Sequence, residues 1–96
     1  MRIRWSPDAV ADLENIVAYI HRDNPAAAQR VGQAIYDRLS VLGTFPYGGR
    51  VGCVEGTREF PLPPPPFIVV YRVLQQADVV QIVNVIHGAE RWPPAD

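Results

Sequence analysis

Lysine is missing from this chain of 96 residues, and all nine of its basic residues are arginine. A lysine general base, a lysine Schiff base and a lysine phosphate anchor are therefore excluded. The ten acidic residues leave a formal net charge of −1 at pH 7. This balance argues against a protein that coats nucleic acid or membranes through bulk positive charge.

Cysteine occurs once, at Cys53, and histidine occurs twice. A disulfide scaffold within the chain and a multi-thiolate zinc site are therefore excluded, and we predict no metal and no cofactor. Long apolar runs are also missing, because no stretch approaches the roughly 20 residues of a membrane helix. Met1 leads directly into Arg2 without the apolar segment of a signal peptide. We expect a soluble cytoplasmic protein that does not contact membranes.

The length predicts a single domain over residues 1–96 with a modest core. The run Ser6-Pro7-Asp8 has the cap, the first-position proline and the early acid of a helix start. Apolar residues follow it at helical spacing, so we predict an amphipathic helix of about four turns. These residues are Ala9, Leu13, Ile16 and Ile20.

A second helix is predicted to begin at Asn24-Pro25 and to end at Gly43. The short break before it predicts that the two helices fold back as an antiparallel hairpin. Its apolar stripe predicts core packing. The stripe consists of Ala27, Val31, Ile35, Leu39 and Leu42.

Strand patterns occupy residues 2–5, 55–62, 67–74 and 79–86, with a loop at 44–52 and a proline connector at 63–66. The predicted fold is α+β, with an N-terminal strand and the helix hairpin packed on a small antiparallel sheet. If Leu74 pairs with Val79, then Arg72 lies opposite Gln81. In that register, one face of the sheet would hold Arg72, Gln81, Val83, Val85 and His87.

Four segments then carry a resemblance that spans nearly the whole chain. They are Trp5-Ser6-Pro7 with Ala9, Asp12, Leu13, Ile16 and Tyr19; Phe45-Pro46-Tyr47-Gly48-Gly49-Arg50; Gly56-Thr57-Arg58-Glu59 followed by Ile68-Val69-Val70-Tyr71-Arg72-Val73; and residues 83–92 with His87-Gly88-Ala89-Glu90-Arg91-Trp92. In the order and spacing of these four segments, the chain resembles the RelE/ParE family of toxins from bacterial type II toxin–antitoxin systems. It resembles the ParE-like members of that family more closely.

The resemblance implies a growth-inhibiting toxin that is held inactive by a cognate antitoxin encoded in the same operon. Operator DNA would then be bound only through the antitoxin. Members of the family act in two ways. ParE-like toxins inhibit DNA gyrase and are not nucleases, whereas RelE-like toxins cut mRNA in the ribosomal A site.

The nuclease alternative needs a base, an acid and a cation that stabilises the phosphorane. Arg58 and Arg72 match arginines of RelE-like nucleases, and His87 lies near a position where relatives carry acid–base groups. With Glu55 or Glu59, these residues form a conceivable metal-independent site. Two differences from RelE-like nucleases weaken this alternative. Those nucleases are typically basic and use lysines, whereas this chain has no lysine and is slightly acidic. They also often end in a tyrosine that stacks on the substrate, whereas this chain does not.

The ParE-like alternative needs only a surface that binds gyrase, and it is the function that we favour. We predict target contacts on the helix hairpin and at four residues, namely Arg50, Glu90, Arg91 and Trp92. For the antitoxin we predict contacts at Phe60, Phe67 and Val69. A degenerate member that binds its antitoxin without being toxic is a third alternative, which the sequence does not separate from the other two.

Overall fold

A computed structural model of the chain describes residues 1–62 and 66–88. The elements in chain order are β1 (Arg2–Trp5), α1 (Pro7–His21), α2 (Pro25–Thr44), β2 (Arg50–Val51), β3 (Arg58–Pro61), β4 (Phe67–Leu74), a 3₁₀ turn (Gln75–Ala77) and β5 (Val79–His87). The predicted α+β fold is confirmed, with two helices packed against one five-stranded sheet. Within the described ranges, neither helix has both the length and the apolar character that crossing a membrane requires.

Both helices begin where the capping signals predict. The Ser6 side chain accepts a hydrogen bond from the Ala9 amide at 3.0 Å, and Asn24 does the same for Ala27 at 3.0 Å. Each cap satisfies a backbone N–H group that has no partner inside its helix. Helix α2 continues one residue beyond the predicted terminator Gly43, to Thr44.

The sheet order is β1-β5-β4-β3-β2. Strand β1 runs parallel to β5, and the other neighbouring strands are antiparallel, so the sheet is mixed and not antiparallel throughout. The predicted loop at 44–52 contains the short strand β2, which pairs with β3. The predicted strand at 55–62 is shorter, because a turn with Gly56 at φ +80° precedes β3. Of the proline connector, only Pro66 is among the described residues.

The register of the β4–β5 hairpin is the predicted one near its turn, with Leu74 opposite Val79 and Arg72 opposite Gln81. The prediction of one shared face is wrong beyond that point. Tyr71 pairs with Ile82 while Val70 pairs with Asn84, so Val83 is an extra residue in β5. A bulge of this kind reverses the alternation of side chains. Val85 and His87 therefore lie on the face opposite to Arg72 and Gln81.

The core lies between the helices and one face of the sheet. Leu39 and Leu42 of α2 are buried there against Tyr71, Val80 and Ile82 of the central strands. Leu13 and Ile16 of α1 pack at the edge of the same cluster. The two predicted apolar stripes thus form one layer, and the other sheet face carries Arg72 and Gln81.

Helix α1 is attached to β5 by polar contacts beyond the end of β1. One Asp12 oxygen accepts hydrogen bonds from the Asn84 side chain and from the Val85 amide, both at 2.9 Å. The Ser6 hydroxyl donates to the Val83 carbonyl at 2.7 Å. These bonds occupy backbone groups of β5 where β1 no longer pairs with it.

Candidate functional site

The loop between α2 and β2 is attached to the central sheet at Gly49. The Gly49 amide donates to the Tyr71 hydroxyl at 2.8 Å, and the Gly49 carbonyl accepts from the Arg58 guanidinium at 2.8 Å. Both backbone groups of one residue are therefore bonded to side chains of β3 and β4. This attachment positions the residues that follow in the chain, beginning with Arg50.

Among the described residues, Tyr71 is the largest side chain that is completely buried. Burial raises the pKa of its phenol above the ordinary value of 10.0, although the Gly49 hydrogen bond and the charge of Arg58 oppose the shift. The hydroxyl therefore stays protonated and keeps its place beside the loop amide. A lone tyrosine among the apolar residues of a central strand indicates such a buried anchor, because a buried hydroxyl needs a partner.

Arg58 is held by the loop that it supports. Its guanidinium carbon lies 4.9 Å from the centre of the Tyr47 ring, in addition to the bond with Gly49. Tyr47 in turn hydrogen-bonds Gln75 at the end of the β4–β5 hairpin. The Arg58 guanidinium is thus stacked on an aromatic ring and bonded to a backbone carbonyl, which suits a residue that holds the loop in position.

Arg50 and Glu59 form an ion pair at 2.9 Å across β2 and β3. The Glu59 side chain is only 12% exposed, whereas that of Arg50 is 71% exposed. Burial raises the pKa of Glu59, but hydrogen bonds from Arg50 and Cys53 and the charge of Arg50 outweigh it, so the pKa lies below its usual value. Glu59 thus stays ionised and holds Arg50 at the exposed edge of the sheet.

Arg72 lies on the other side of the sheet from Arg58. Arg58 is paired with Tyr71, and successive residues of a strand point to opposite faces. The Arg72 guanidinium donates to the Glu55 carbonyl at 3.3 Å. The two arginines that the nuclease alternative joins are therefore separated by the sheet itself.

His87 lies at the far end of the β4–β5 hairpin. Its ring packs edge-on against Phe67, with 5.6 Å between the ring centres. Phe67 and Arg72 are five positions apart along β4, which is about 17 Å of extended chain. The structure therefore does not bring Arg58, Arg72 and His87 together.

The predicted target residues are only partly within the described ranges. Arg50 is exposed on β2, as the prediction requires of a contact residue. Glu90, Arg91 and Trp92 lie outside residues 1–62 and 66–88, so their prediction is unchanged.

The predicted antitoxin contacts lie in or beside the core. Val69 is completely buried, so its side chain offers no surface to a partner in this conformation. Phe60 is 8% exposed, and the Arg38 guanidinium covers its ring at 4.3 Å. Phe67 is half-buried beside His87. The apolar strand pattern that suggested these residues reflects core packing for Val69 and Phe60.

Two groups of this site escaped the sequence-based prediction. Tyr47 stacks on Arg58, and Arg38 of α2 covers Phe60 above a hollow of about 470 Å³ beside β3. Tyr47 lies within the segment 45–50 that carries the resemblance, so an aromatic next to paired glycines was the available signal. Nothing in the sequence places Arg38 above a strand that begins 20 residues later.

In the described ranges, no three His, Cys, Asp or Glu residues are grouped so that they could hold a metal ion.

Replacing Tyr71 by phenylalanine should lower the free energy of unfolding by about 1–3 kcal/mol, because the buried Gly49 amide loses its acceptor. Urea unfolding measures the change. Tyr47→Phe removes an exposed hydroxyl and should stay within about 0.5 kcal/mol of the wild type. Equal stability of the Tyr71 variant and the wild type would show that the loop is held without this bond.

The raised pKa of Tyr71 also predicts an alkaline limit to stability. The unfolded chain releases the phenolic proton near the ordinary value of 10.0, whereas the native chain retains it. Stability is therefore complete below that pH and declines as the pH rises towards the higher native pKa. The Tyr71→Phe variant should lack this part of the decline.

Comparison with known proteins identifies the chain. The sequence model of the ParE toxin of the type II toxin–antitoxin system parDE matches residues 3–92. A candidate toxin of Sinorhizobium fredii, Y4kP, is 39% identical over 92 residues, which is 96% of this chain and 93% of the relative. Toxin RelE2 of Caulobacter vibrioides is 32% identical over 88 residues, covering 92% of this chain and 96% of that protein.

Solved structures agree with these sequence matches. A chain of the chromosomal ParDE system from P. aeruginosa superposes with a TM-score of 0.80 at 27% identity, covering 91% of this chain and 95% of its own length. A chain of the intact E. coli RelBE toxin–antitoxin complex shares the fold, with a TM-score of 0.64 at 14% identity over 94% and 98% of the two chains. The chain described here belongs to the ParE toxin family of type II toxin–antitoxin systems.

Proposed function

We propose that this toxin is a ParE-like inhibitor of DNA gyrase and is not a nuclease. The observation that carries the proposal is the separation of Arg58, Arg72 and His87. Arg58 is bonded to the loop on one face, Arg72 lies on the other face, and His87 is packed on Phe67 at the opposite end of the hairpin. Cleavage of RNA requires an acid, a base and a cation around one phosphate.

The composition supports the same choice. A protein that works inside the ribosome gains from positive charge that steers it to RNA. This chain has a net charge of −1 and no lysine. The match to the ParE family over residues 3–92 and the likeness to a ParDE system add to this support.

Ribosome-dependent cleavage of mRNA is the second candidate. It is favoured by one specific observation, the 32% identity to a protein named Toxin RelE2. If this candidate is correct, Arg58 and Arg72 must act from opposite faces of the sheet or rearrange when RNA binds.

Family membership implies a cognate antitoxin. For the target, we retain Arg50 and residues 90–92 as the contact surface, together with the helix hairpin. Arg50 fits this role because it projects from the sheet edge while Glu59 holds its guanidinium from one side. A fixed and exposed arginine loses little conformational freedom on binding, which favours it as a contact residue.

A paired assay on toxin separated from its antitoxin tests the proposal. One arm follows supercoiling of relaxed plasmid by gyrase, and the other follows mRNA on programmed ribosomes. We expect inhibited supercoiling and intact mRNA, with inhibition reversed by one equivalent of antitoxin. Cleaved mRNA with normal supercoiling would establish the RelE-like function instead. No effect in either arm would indicate the third alternative, a degenerate family member that binds its antitoxin without being toxic.

The same assay tests the surface. Arg50→Ala should raise the toxin concentration needed for half inhibition about tenfold, which corresponds to about 1.4 kcal/mol. Arg4→Ala removes an exposed arginine from β1, at the other end of the sheet from β2, and is the matched control. Equal inhibition by the two variants would remove Arg50 from the proposed surface.

A further inference from the structure

The Arg58 guanidinium uses only one of its nitrogen atoms to hold the loop. Its Nη1 donates to the Gly49 carbonyl at 2.8 Å and reaches the Tyr47 carbonyl at 3.5 Å. The hydrogen bonds of Arg58 to the described residues involve neither Nε nor Nη2. These two nitrogens lie on the same edge of the planar group, and together they form the fork that binds a carboxylate or a phosphate through two parallel hydrogen bonds.

The charge of Arg58 is half-buried, and its position is fixed. Its guanidinium carbon lies 4.9 Å from the centre of the Tyr47 ring. Among the described residues, the ion pair joins Arg50 to Glu59, so no carboxylate there neutralises Arg58. A charge that is withdrawn from water is costly unless it is paired. A fixed and half-buried arginine with a free fork is therefore suited to an anion that another molecule supplies.

Arg58 lies in a shallow hollow whose other walls are mainly apolar. The hollow has a volume of about 260 Å³ and is lined by Tyr47, Val51, Gly56, Thr57, Arg58 and Val73; we call it the Arg58 hollow. Val51 lies directly opposite Arg58 across β2 and β3 and is 75% exposed. The Thr57 hydroxyl donates to the Val54 carbonyl at 2.6 Å, so it already has an acceptor. A partner would thus meet one cation beside two valines and a tyrosine.

The apolar walls favour a protein partner over nucleic acid. A phosphate backbone would use the charge of Arg58 but would leave Val51 and Val73 without apolar contacts. A base could stack on an aromatic ring, but one face of the Tyr47 ring is covered by Arg58 and its hydroxyl is bonded to Gln75. A carboxylate next to an apolar side chain matches both parts of the hollow. Tyrosine and arginine are also the residues that often dominate the binding energy of protein interfaces.

We propose that the Arg58 hollow binds an acidic side chain of gyrase together with an apolar side chain beside it. The inference rests on the proposed function, because it takes gyrase as the target. The carboxylate would accept hydrogen bonds from Nε and Nη2 of Arg58, and the apolar side chain would lie between Val51 and Val73. Arg50 precedes Val51 on β2 and points to the opposite face of the sheet. Gyrase would therefore contact this edge of the sheet from both sides.

A carboxylate placed within the toxin itself tests the free fork. In Val51→Glu, the new side chain lies directly opposite Arg58 on the same face, so it can occupy Nε and Nη2. Val51→Gln has the same size without the charge and is the matched control, and both changes lie at an exposed position. In titration calorimetry with complete gyrase, the glutamate variant should bind about tenfold more weakly than the glutamine variant. Equal binding by the two variants would overturn the proposal.

A second pair of variants tests the geometry of the fork at constant charge. Arg58→Lys keeps the positive charge but replaces the planar fork by a single ammonium group, so gyrase binding should weaken by about tenfold. Arg4→Lys makes the same change at an exposed position of β1, at the other end of the sheet, and should bind as the wild type does. Thermal unfolding shows whether each variant is folded. Equal binding by two folded lysine variants would also overturn the proposal.

Binding measured with and without DNA on the gyrase separates a carboxylate from a phosphate. If a gyrase carboxylate occupies the fork, Val51→Glu should weaken binding by the same factor in both conditions. A loss that occurs only when gyrase holds DNA would assign the fork to a phosphate and overturn the proposal. A loss of antitoxin binding with unchanged gyrase binding would overturn it as well, because the antitoxin would then be the occupant.

The outcomes also separate this inference from the proposed function. A wild-type toxin that inhibits supercoiling, with no response at Val51 or Arg58, refutes the occupant of the hollow and leaves gyrase inhibition untouched. A wild-type toxin that neither binds gyrase nor inhibits supercoiling refutes the proposed function, and the inference about the Arg58 hollow is refuted with it.

Discussion

Replacing Gly49 by alanine should lower the free energy of unfolding by about 2–4 kcal/mol. A β-carbon at this position would lie 2.6 Å from the Glu59 carbonyl oxygen and 2.7 Å from the Tyr71 hydroxyl. One of these atoms is backbone, and the other belongs to a completely buried ring, so neither can move aside at small cost. The loop must shift instead, and the bond between the Gly49 amide and Tyr71 is then lost.

Urea unfolding of the variant and the wild type measures this change. Gly32→Ala is the matched control, because its β-carbon would meet only Val17 at an ordinary 3.4 Å. Since Gly32 lies inside α2, alanine there should be neutral or should stabilise by up to about 1 kcal/mol. A Gly49→Ala variant within about 0.5 kcal/mol of the wild type would contradict the close packing described here.

The Gly49 prediction also bears on function. The residue after Gly49 is the exposed Arg50, whose position depends on the loop and on Glu59. If Arg50 contacts gyrase, folded Gly49→Ala toxin should inhibit supercoiling less than the wild-type toxin at equal concentration. The inhibition assay should be run at a temperature below the unfolding transition of the less stable variant, so that only folded protein is compared.

The elements of this fold that depend on local chemistry could be predicted from the sequence. The caps at Ser6 and Asn24 act within four residues, and the apolar run of β4 is long enough to be unambiguous. Strand β2 could not be predicted, because its two residues pair only after β3 has been placed beside them. The parallel pairing of β1 likewise depends on where α1 and α2 return the chain.

The candidate site was less predictable for the same reason. The pairing of Arg72 with Gln81 follows from the short hairpin, but the bulge at Val83 reverses the faces beyond it. A valine at position 83 gives no sign of a bulge. The apolar pattern that contains Val69 and Phe60 would be the same whether these side chains contacted a partner or packed in the core. The packing that separates Arg58 from Arg72 appears only when the sheet is assembled.

Replacing Asp12 by alanine should lower the free energy of unfolding by about 2–3 kcal/mol, because hydrogen bonds to a charged group contribute more than neutral ones. Asp12 is the acceptor for the Val85 amide, which lies beyond the reach of β1. Without the Asp12 carboxylate, the Val85 amide loses this hydrogen-bond acceptor, and α1 loses a polar contact with the sheet. Glu14→Ala removes the same charge from an exposed position of α1 and should change stability by less than about 0.5 kcal/mol.

Asp12→Asn separates the charge from the geometry of this contact. The asparagine keeps one oxygen that can accept from the Val85 amide, so its cost should be about half that of alanine. If asparagine and alanine are equally destabilising, the charge is what holds α1 to β5. If both match Glu14→Ala, the helix is held by apolar packing of Leu13 and Ile16 alone, and the polar contact only fixes its orientation.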